Sequence, residues 1–443
     1  MRYSEFVFEN YRYDPTASIL SLHYRFAEGP GFAEQLSFEI PQRRLSPAGS
    51  EVLDRIFRLI FLLSGVSYYK AFVPGMLRCS AFPLDRETAE LLQDFYEQGL
   101  AEFAWKNRIS LRGRCRFRSE PVAPAAPVAL SLPRRSCVPI GGGKDSVVTL
   151  ECLKAGGEDL VLFSLGDAEP IAQCIAAAGL PSIRVRRRID PALLRLNTEG
   201  ALNGHVPITG ILSAIVLACA VLAGLDTIVM SNEHSANAPN LFNGDLAINH
   251  QFSKSLEFEE KFSRYVVSHI SPSLAYFSLL RPLSEIEIAR RFAEYPQYFG
   301  IFRSCNTAFR QSPAERGQHW CGNCAKCRFV FLALAPFLDR RQLIRIFSRD
   351  LLDDETQLEG FAALCGLDAH KPFECVGETG ESAAVMAQLG HDPRWRDGAV
   401  VRGLTAAFPA LRQLDGTAYR ALFEARHPHR VPARFLAMLD ACG

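Results

Sequence analysis

Net charge is what this 443-residue sequence most plainly lacks: 49 Lys and Arg stand against 48 Asp and Glu, a balance of +1. No global field draws in a polyanion such as tRNA or DNA, so no nucleic-acid partner is expected without a local basic patch. A disordered or fibrous composition is also missing, since 48% of the residues are hydrophobic and 22% charged, with 31 glycines and 26 prolines. The segment Met1 to Tyr13 alternates aromatic with charged and polar residues and has no unbroken apolar run of the secretory kind. A cytoplasmic protein is expected. Val206 to Leu225 is free of charge over nearly the length that spans a bilayer. Pro207, Thr209, Gly210, Ser213 and Gly224 dilute its hydrophobicity, however, and Gly224-Leu225-Asp226 before Thr227 to Met230 reads as a helix stop leading into a strand. The expectation is a helix buried against a parallel sheet and no membrane partner.

What is present suggests about three domains, at roughly 150 residues each. Residues 1–118 combine strand-like runs (Phe6-Val7-Phe8, Ile19 to Leu22) with two amphipathic helical patterns, one through Val52, Leu53, Ile56, Phe57 and Ile60, the other through Leu91, Leu92, Phe95 and Phe103. They read as an α+β module. Residues 119–135 are a Pro- and Ala-rich connector. In residues 136–335 strands and helices alternate: Cys137 to Ile140, Ser146 to Lys154, Leu160 to Ser164, Glu169 to Ala178, Ser182 to Ile189, Pro207 to Ala223, Thr227 to Ser231. Such alternation predicts an α/β domain with a parallel sheet. Residues 336–443 read as mainly helical, with the Gly- and charge-rich segment Lys371 to Ser382 inside them.

Gly141-Gly142-Gly143-Lys144-Asp145-Ser146 follows a short apolar strand and opens a helix. Three glycines let backbone N–H groups converge at the helix N-terminus, where partial positive charge favours phosphate, and Lys144 adds a mobile cation. A nucleotide's phosphates are the expected ligand. The spacing is neither that of a Walker A loop nor GxGxxG. Ser231-Asn232-Glu233-His234 follows a later strand at the carboxyl edge where such sheets bind ligands, so Asp145 and Glu233 could share a magnesium ion.

Of the thirteen cysteines, Cys79, Cys115, Cys137, Cys152, Cys174, Cys219, Cys365, Cys375 and Cys442 are scattered and read as reduced, mostly buried thiols. Cys305, Cys321, Cys324 and Cys327 are different. Their x2 spacings suit one tetrahedral metal, with structural zinc favoured, although four-cysteine sets also hold iron–sulfur clusters and the thiols could stay free of metal. The closed set leaves no position for substrate.

The glycine loop resembles the Ser-Gly-Gly-x-Asp-Ser signature of PP-loop ATP pyrophosphatases, with Gly141 in place of the first Ser. That resemblance implies a PP-loop ATP-binding domain that cleaves ATP between the α and β phosphates and adenylates an oxygen of a substrate. A cysteine-rich zinc site similarly accompanies the loop in enzymes resembling 7-cyano-7-deazaguanine synthase. Adding Asn203-Gly204-His205-Val206-Pro207, Ser231 to Ser235, Trp320 to Cys327 and Lys371-Pro372-Phe373-Glu374-Cys375-Val376-Gly377-Glu378, the chain resembles the UDP-N-acetyl-α-D-muramoyl-L-alanyl-L-glutamate epimerase family. The resemblance implies ATP- and magnesium-dependent inversion of the terminal L-Glu of UDP-MurNAc-L-Ala-L-Glu to D-Glu for peptidoglycan synthesis, with release of AMP and pyrophosphate. On that reading Gly141, Gly142, Gly143 and Ser146 cradle the β and γ phosphates, Lys144 stabilises charge on the α phosphate and the leaving pyrophosphate, and Asp145 with Glu233 holds magnesium.

His205 could lie over the nucleotide or cap its own loop. Cys375 is the candidate for proton transfer, with His234 and Lys371 as competitors, against the plainer reading of a packed core thiol. The run Arg184-Val185-Arg186-Arg187-Arg188 could bind the UDP pyrophosphate, although a solvated sheet edge explains it as well. Two rivals remain: another PP-loop enzyme acting on a nucleobase or tRNA, and a module that senses ATP without turnover.

Overall fold

The computed structural model describes residues 3–41, 43–310, 316–317, 319–367, 371–414, 416–424 and 426–443. Its first strands arise from strict alternation: in Ile19–Phe26, Leu20, Leu22, Tyr24 and Phe26 are buried while the residues between them are half-buried. Strands β1 (Glu5–Asp14), β2 (Ile19–Phe26) and β3 (Gly31–Glu39) form an antiparallel meander. Strands β4 (Met76–Cys79) and β5 (Arg116–Phe117) add to it in parallel. Then come β6 (Ser136–Pro139), β7 (Leu160–Leu165), β8 (Ser182–Arg188), β9 (Thr227–Met230), a separate hairpin of β10 (Leu241–Asn243) and β11 (Leu246–Ile248), and β12 (Ala275–Ser278). The large sheet has ten strands in the order β12-β9-β6-β7-β8-β3-β2-β1-β4-β5.

From β12 to β8 all neighbours are parallel, as the strand–helix alternation predicts. The N-terminal residues are not a detached layer, because β3 pairs antiparallel with β8, with Phe38 opposite Val185 and Leu36 opposite Arg187. One sheet therefore runs through both parts of the chain. This overturns the solvated-edge reading of the arginine run: β8 lies between β7 and β3, and the Arg187 guanidinium is buried against Glu34 at 2.7 Å. The pleat that turns Ile183, Val185 and Arg187 inward sends Arg184 and Arg186 the other way, where both pair with Glu39.

The core lies on both faces of the sheet: Cys137 packs among the N-terminal strands and helices Pro47–Ser64 and Ile208–Ala223, whereas Val138 packs with helices Lys144–Ala155, Glu285–Phe292 and Ala325–Leu334. The charge-free stretch is thus a buried helix, and no helix among the described residues is long and apolar enough to cross a membrane. The connector is strapped down, with Val128 N–H donating to Ile270 O at 3.0 Å and Leu130 N–H to Ser273 Oγ at 2.9 Å. One expectation about the scattered cysteines fails. Cys152 and Cys442 form a disulfide across 290 positions, because the C-terminal helix Ala433–Ala441 lies along Lys144–Ala155 and sets Met438 against Gly156.

Candidate active site

The sheet places the loop. Strand β6 has β7 on one side and β9 on the other, so connections leave it in both directions and a crevice opens at the carboxyl ends of β6 and β9. Gly141 to Gly143 follow β6, and Ser231-Asn232-Glu233 follow β9. Gly142 adopts φ +77°, and a Cβ there would come within 3.0 to 3.1 Å of Pro170 and Ile171, so only glycine fits. Its carbonyl accepts from Arg303 N–H at 2.7 Å. Ser146 knits the loop, donating from Oγ to Gly143 O at 3.1 Å and accepting from Gly141 N–H at 3.3 Å.

Lys144 differs from the mobile cation expected. Its ammonium is buried and grips the carboxylates of Asp145 and Glu285. Burial works against its charge, yet the two carboxylates outweigh that and hold its proton well above the usual lysine range. Glu285 opens the helix Glu285–Phe292 just beyond β12. Burial raises its carboxyl well above the ordinary range against the pull of Lys144, with Asp145, Glu233 and Glu381 adding to the rise. Behind it, burial brings Glu381 up to about 7 while it accepts from Glu285 N–H and Glu378 N–H. Glu233 is buried as well, accepting from Ser235 Oγ at 3.3 Å, and its backbone carbonyl is held by Arg281 at 2.6 Å.

A cavity of about 600 Å³ brings Gly141, Gly143, Lys144, Asp145, Ser146, Glu233 and Glu285 together with Lys254, Lys326 and Cys375. The Cys375 thiol is half-buried and receives a hydrogen bond from Lys254 Nζ at 3.3 Å. Burial alone would raise it, but the charge of Lys254, a hydrogen bond to His250 and the charge of Lys326 bring it down to about 6. The thiol lines the cavity rather than packing in the core.

The competitors border the site without lining the cavity. His234 is not among the lining residues; it stacks on His427 with ring centroids 3.5 Å apart, and burial, His427 and Arg281 lower it to about 4. Lys371 is buried outside the lining, and burial lowers its ammonium despite Glu378, Glu233 and Glu381 nearby. His205, read as lying over the nucleotide or capping its own loop, is also absent from the lining and packs on His250 with ring centroids 4.3 Å apart, next to Glu102. Burial and the charge of His250 bring it down to about 3.

Cys305, Cys321, Cys324 and Cys327 converge, with sulfur separations of 3.9 Å (Cys305–Cys324), 3.6 Å (Cys321–Cys327) and 3.5 Å (Cys324–Cys327). All four sulfurs lie within 4.8 Å of one another, a possible metal site. Tetrahedral ligands at about 2.3 Å from zinc sit roughly 3.8 Å apart, so the set fits that ion. Ser304 and Asn306, flanking Cys305, and Lys326, Phe329 and Val330, beside Cys327, line the cavity, so the cysteine knot fixes one of its walls.

Sequence reading missed Glu285, Lys254, Lys326, His250 and Glu102. Glu285 had a signal, since Ser284 caps the helix after an unnoticed strand. Glu102 had one too, as a carboxylate set in the apolar run Leu100 to Ala104. His250 lies in a turn and Lys254 ends the three-residue 3-10 helix Phe252–Lys254, stretches too short to show a period or motif.

A family model described as the MurL N-terminal domain matches residues 1–279, and one described as the MurL C-terminal domain matches residues 301–418. The chain is 40% identical over 429 residues, 97% of its length and 95% of the relative's, to the UDP-N-acetyl-alpha-D-muramoyl-L-alanyl-L-glutamate epimerase of Xanthomonas oryzae pv. oryzae. It is 41% identical over 448 residues, 100% of its length and 96% of the relative's, to the protein of the same name from Salinispora tropica. A Micromonospora relative with that name is 40% identical over 444 residues, 99% of this chain and 98% of its own.

Proposed function

The chain belongs to the MurL family of UDP-N-acetyl-α-D-muramoyl-L-alanyl-L-glutamate epimerases, and from that premise we propose that it inverts the terminal L-Glu of UDP-MurNAc-L-Ala-L-Glu to D-Glu. The reaction is driven by ATP, yields AMP and pyrophosphate, and serves peptidoglycan synthesis in the cytoplasm. The observation that supports it is one cavity lined by both a glycine loop ringed with carboxylates and a low-pKa thiol.

Removing a Cα proton beside an ionised carboxylate would place a second negative charge next to the first, a severe barrier. Adenylation removes that obstacle. An oxygen of the α-carboxylate attacks the α phosphorus of ATP, pyrophosphate leaves, and the acyl adenylate that forms has an ester-like carbonyl able to accept the enolate's charge. The Cys375 thiolate takes the Cα proton and later loses it to solvent, a solvent-derived proton is delivered to the opposite face, and water cleaves the acyl bond to give D-Glu and AMP. Gly141, Gly142 and Gly143, in a PP-loop arrangement, take the β and γ phosphates beside Ser146. Lys144, fixed by Asp145 and Glu285, offsets charge on the α phosphate and pyrophosphate. Asp145 and Glu233 would hold magnesium, which supplies charge neutralisation to the phosphates. Zinc in the four-cysteine site would be structural, stiffening the wall that carries Lys326.

The test is incubation with ATP, magnesium and UDP-MurNAc-L-Ala-L-Glu in deuterated water. D-Glu bearing deuterium at its α carbon, with AMP formed, is the expected result. D-Glu without AMP would exclude the adenylate route, and AMP without inversion would exclude the epimerase.

A further inference from the structure

Cys375 is bound on its far side to a part of the chain that no motif marks. Building on the proton-transfer role given to Cys375 above, we propose that Glu102 and His250 are positioning residues that hold Cys375 as a thiolate, so that the N-terminal half of the chain completes the proton-transfer site. Glu102 stands on the helix Ala101–Lys106, and its carboxylate takes His250 Nδ1 on one oxygen and Lys106 Nζ on the other. His250 is in turn close enough to Cys375 for each to shift the other's proton affinity, and Asn240 bridges it to Pro372 in the segment that carries the thiol.

The scaffold around this chain of contacts is tight. Asn240 accepts from His250 N–H at 2.8 Å through Oδ1 and donates to Pro372 O at 2.7 Å through Nδ2, tying His250 to the segment that carries Cys375. Phe373 packs on Ala101, Leu241 and Ile248, and the Lys106 ammonium lies 5.0 Å from its ring centroid.

Charge follows geometry here. Burial disfavours the imidazolium, but Cys375 and Glu102 more than compensate and push His250 up to about 9. Burial disfavours the Glu102 carboxylate too, and His250 with Lys106 brings it down to about 2. Lys254, His250 and Lys326 act on the sulfur, Glu102 and His205 lie against His250, Lys106 pairs with Glu102, and Glu374 pairs with Lys326 at 3.8 Å. Glu102, His205 and His250 are close enough to share an ion. Both Glu102 oxygens are already engaged, Oε2 by His250 Nδ1 and Oε1 by Lys106 Nζ, so hydrogen bonds hold the group together.

The test reads the thiol directly and needs neither ATP nor substrate, so it is independent of whether the epimerase assignment stands; that assignment fails in the deuterium experiment. The full-length protein is alkylated with iodoacetamide across pH, and the Cys375 peptide is followed by mass spectrometry. In the unaltered protein the rate should rise with a midpoint near 6. In H250Q the midpoint should move up by at least about one pH unit, with alkylation near pH 6.5 slowed on the order of tenfold, and E102Q should move it the same way by less. A midpoint near the ordinary thiol value of about 8.5 in the unaltered protein, or an unmoved midpoint in both variants, would overturn the proposal. Should H250Q unfold, recognised by alkylation of the buried Cys219, E102Q and the unaltered protein still decide it.

Discussion

Two groups of side chains line one cavity and are built on opposite electrostatics. Around the glycine loop, Asp145, Glu233 and Glu285, with Glu381 behind, crowd the buried ammonium of Lys144. Around Cys375 the surplus is positive, from Lys254, Lys326 and His250. In the first group burial and neighbouring carboxylates raise Glu285 and Glu381, a crowding of acids that a divalent cation would relieve. In the second the cations outweigh burial and lower a thiol. The contrast separates what activates the substrate from what moves its proton, although the two share walls.

Replacement of Asp145 should have the largest effect. D145N removes a charge from the first group only, so AMP and pyrophosphate release should fall by on the order of a thousandfold or more, and deuterium uptake should fall with it because the Cα proton is never activated. The alkylation midpoint of Cys375 should stay nearly where it was. Unchanged pyrophosphate release would remove Asp145 from the phosphate site. A smaller and more selective loss is expected in C375S. Inversion and deuterium uptake should fall by roughly a hundred- to ten-thousandfold, the usual range for a positioned acid or base, while a first-turnover burst of pyrophosphate persists. If the burst vanished with the exchange, the two groups would act as one and the contrast would break.

The carboxylate group was far more legible in the sequence than the thiol group, for a physical reason. Glycines that must approach backbone closely and carboxylates at strand ends are local requirements, so Gly141 to Gly143, Asp145 and Glu233 announce themselves within a few residues. The parallel strands β6, β7, β8 and β9 were equally readable from the alternation of strand and helix, whereas β12 was not. Cys375 was visible only as a lone thiol. Its chemistry comes from Lys254, 121 positions earlier, and from His250 and Glu102 still farther away, all brought near by tertiary folding. Long-range pairing also hid the β3–β8 junction and the bond between Cys152 and Cys442, since neither leaves a periodic trace.

A third set of cations sharpens the contrast because it belongs to neither group. Arg184 and Arg186 stand on the outward face of β8, beside Glu39 at 3.8 and 3.0 Å, and are half-exposed. Neither lines the cavity. Exposed pairs of this kind contribute about 0 to 1 kcal/mol, and a guanidinium already engaged with a carboxylate must give up that contact before it can take a phosphate. The double substitution R184A/R186A should therefore change KM for the UDP-linked substrate less than about twofold and leave kcat alone, since no contact of more than roughly 0.4 kcal/mol is lost. Loss of two bidentate contacts to a pyrophosphate would instead raise KM by at least about tenfold. Steady-state kinetics of the double variant, with pyrophosphate release as the readout, separate the two outcomes; the larger change would make this outward face of the sheet part of the substrate site.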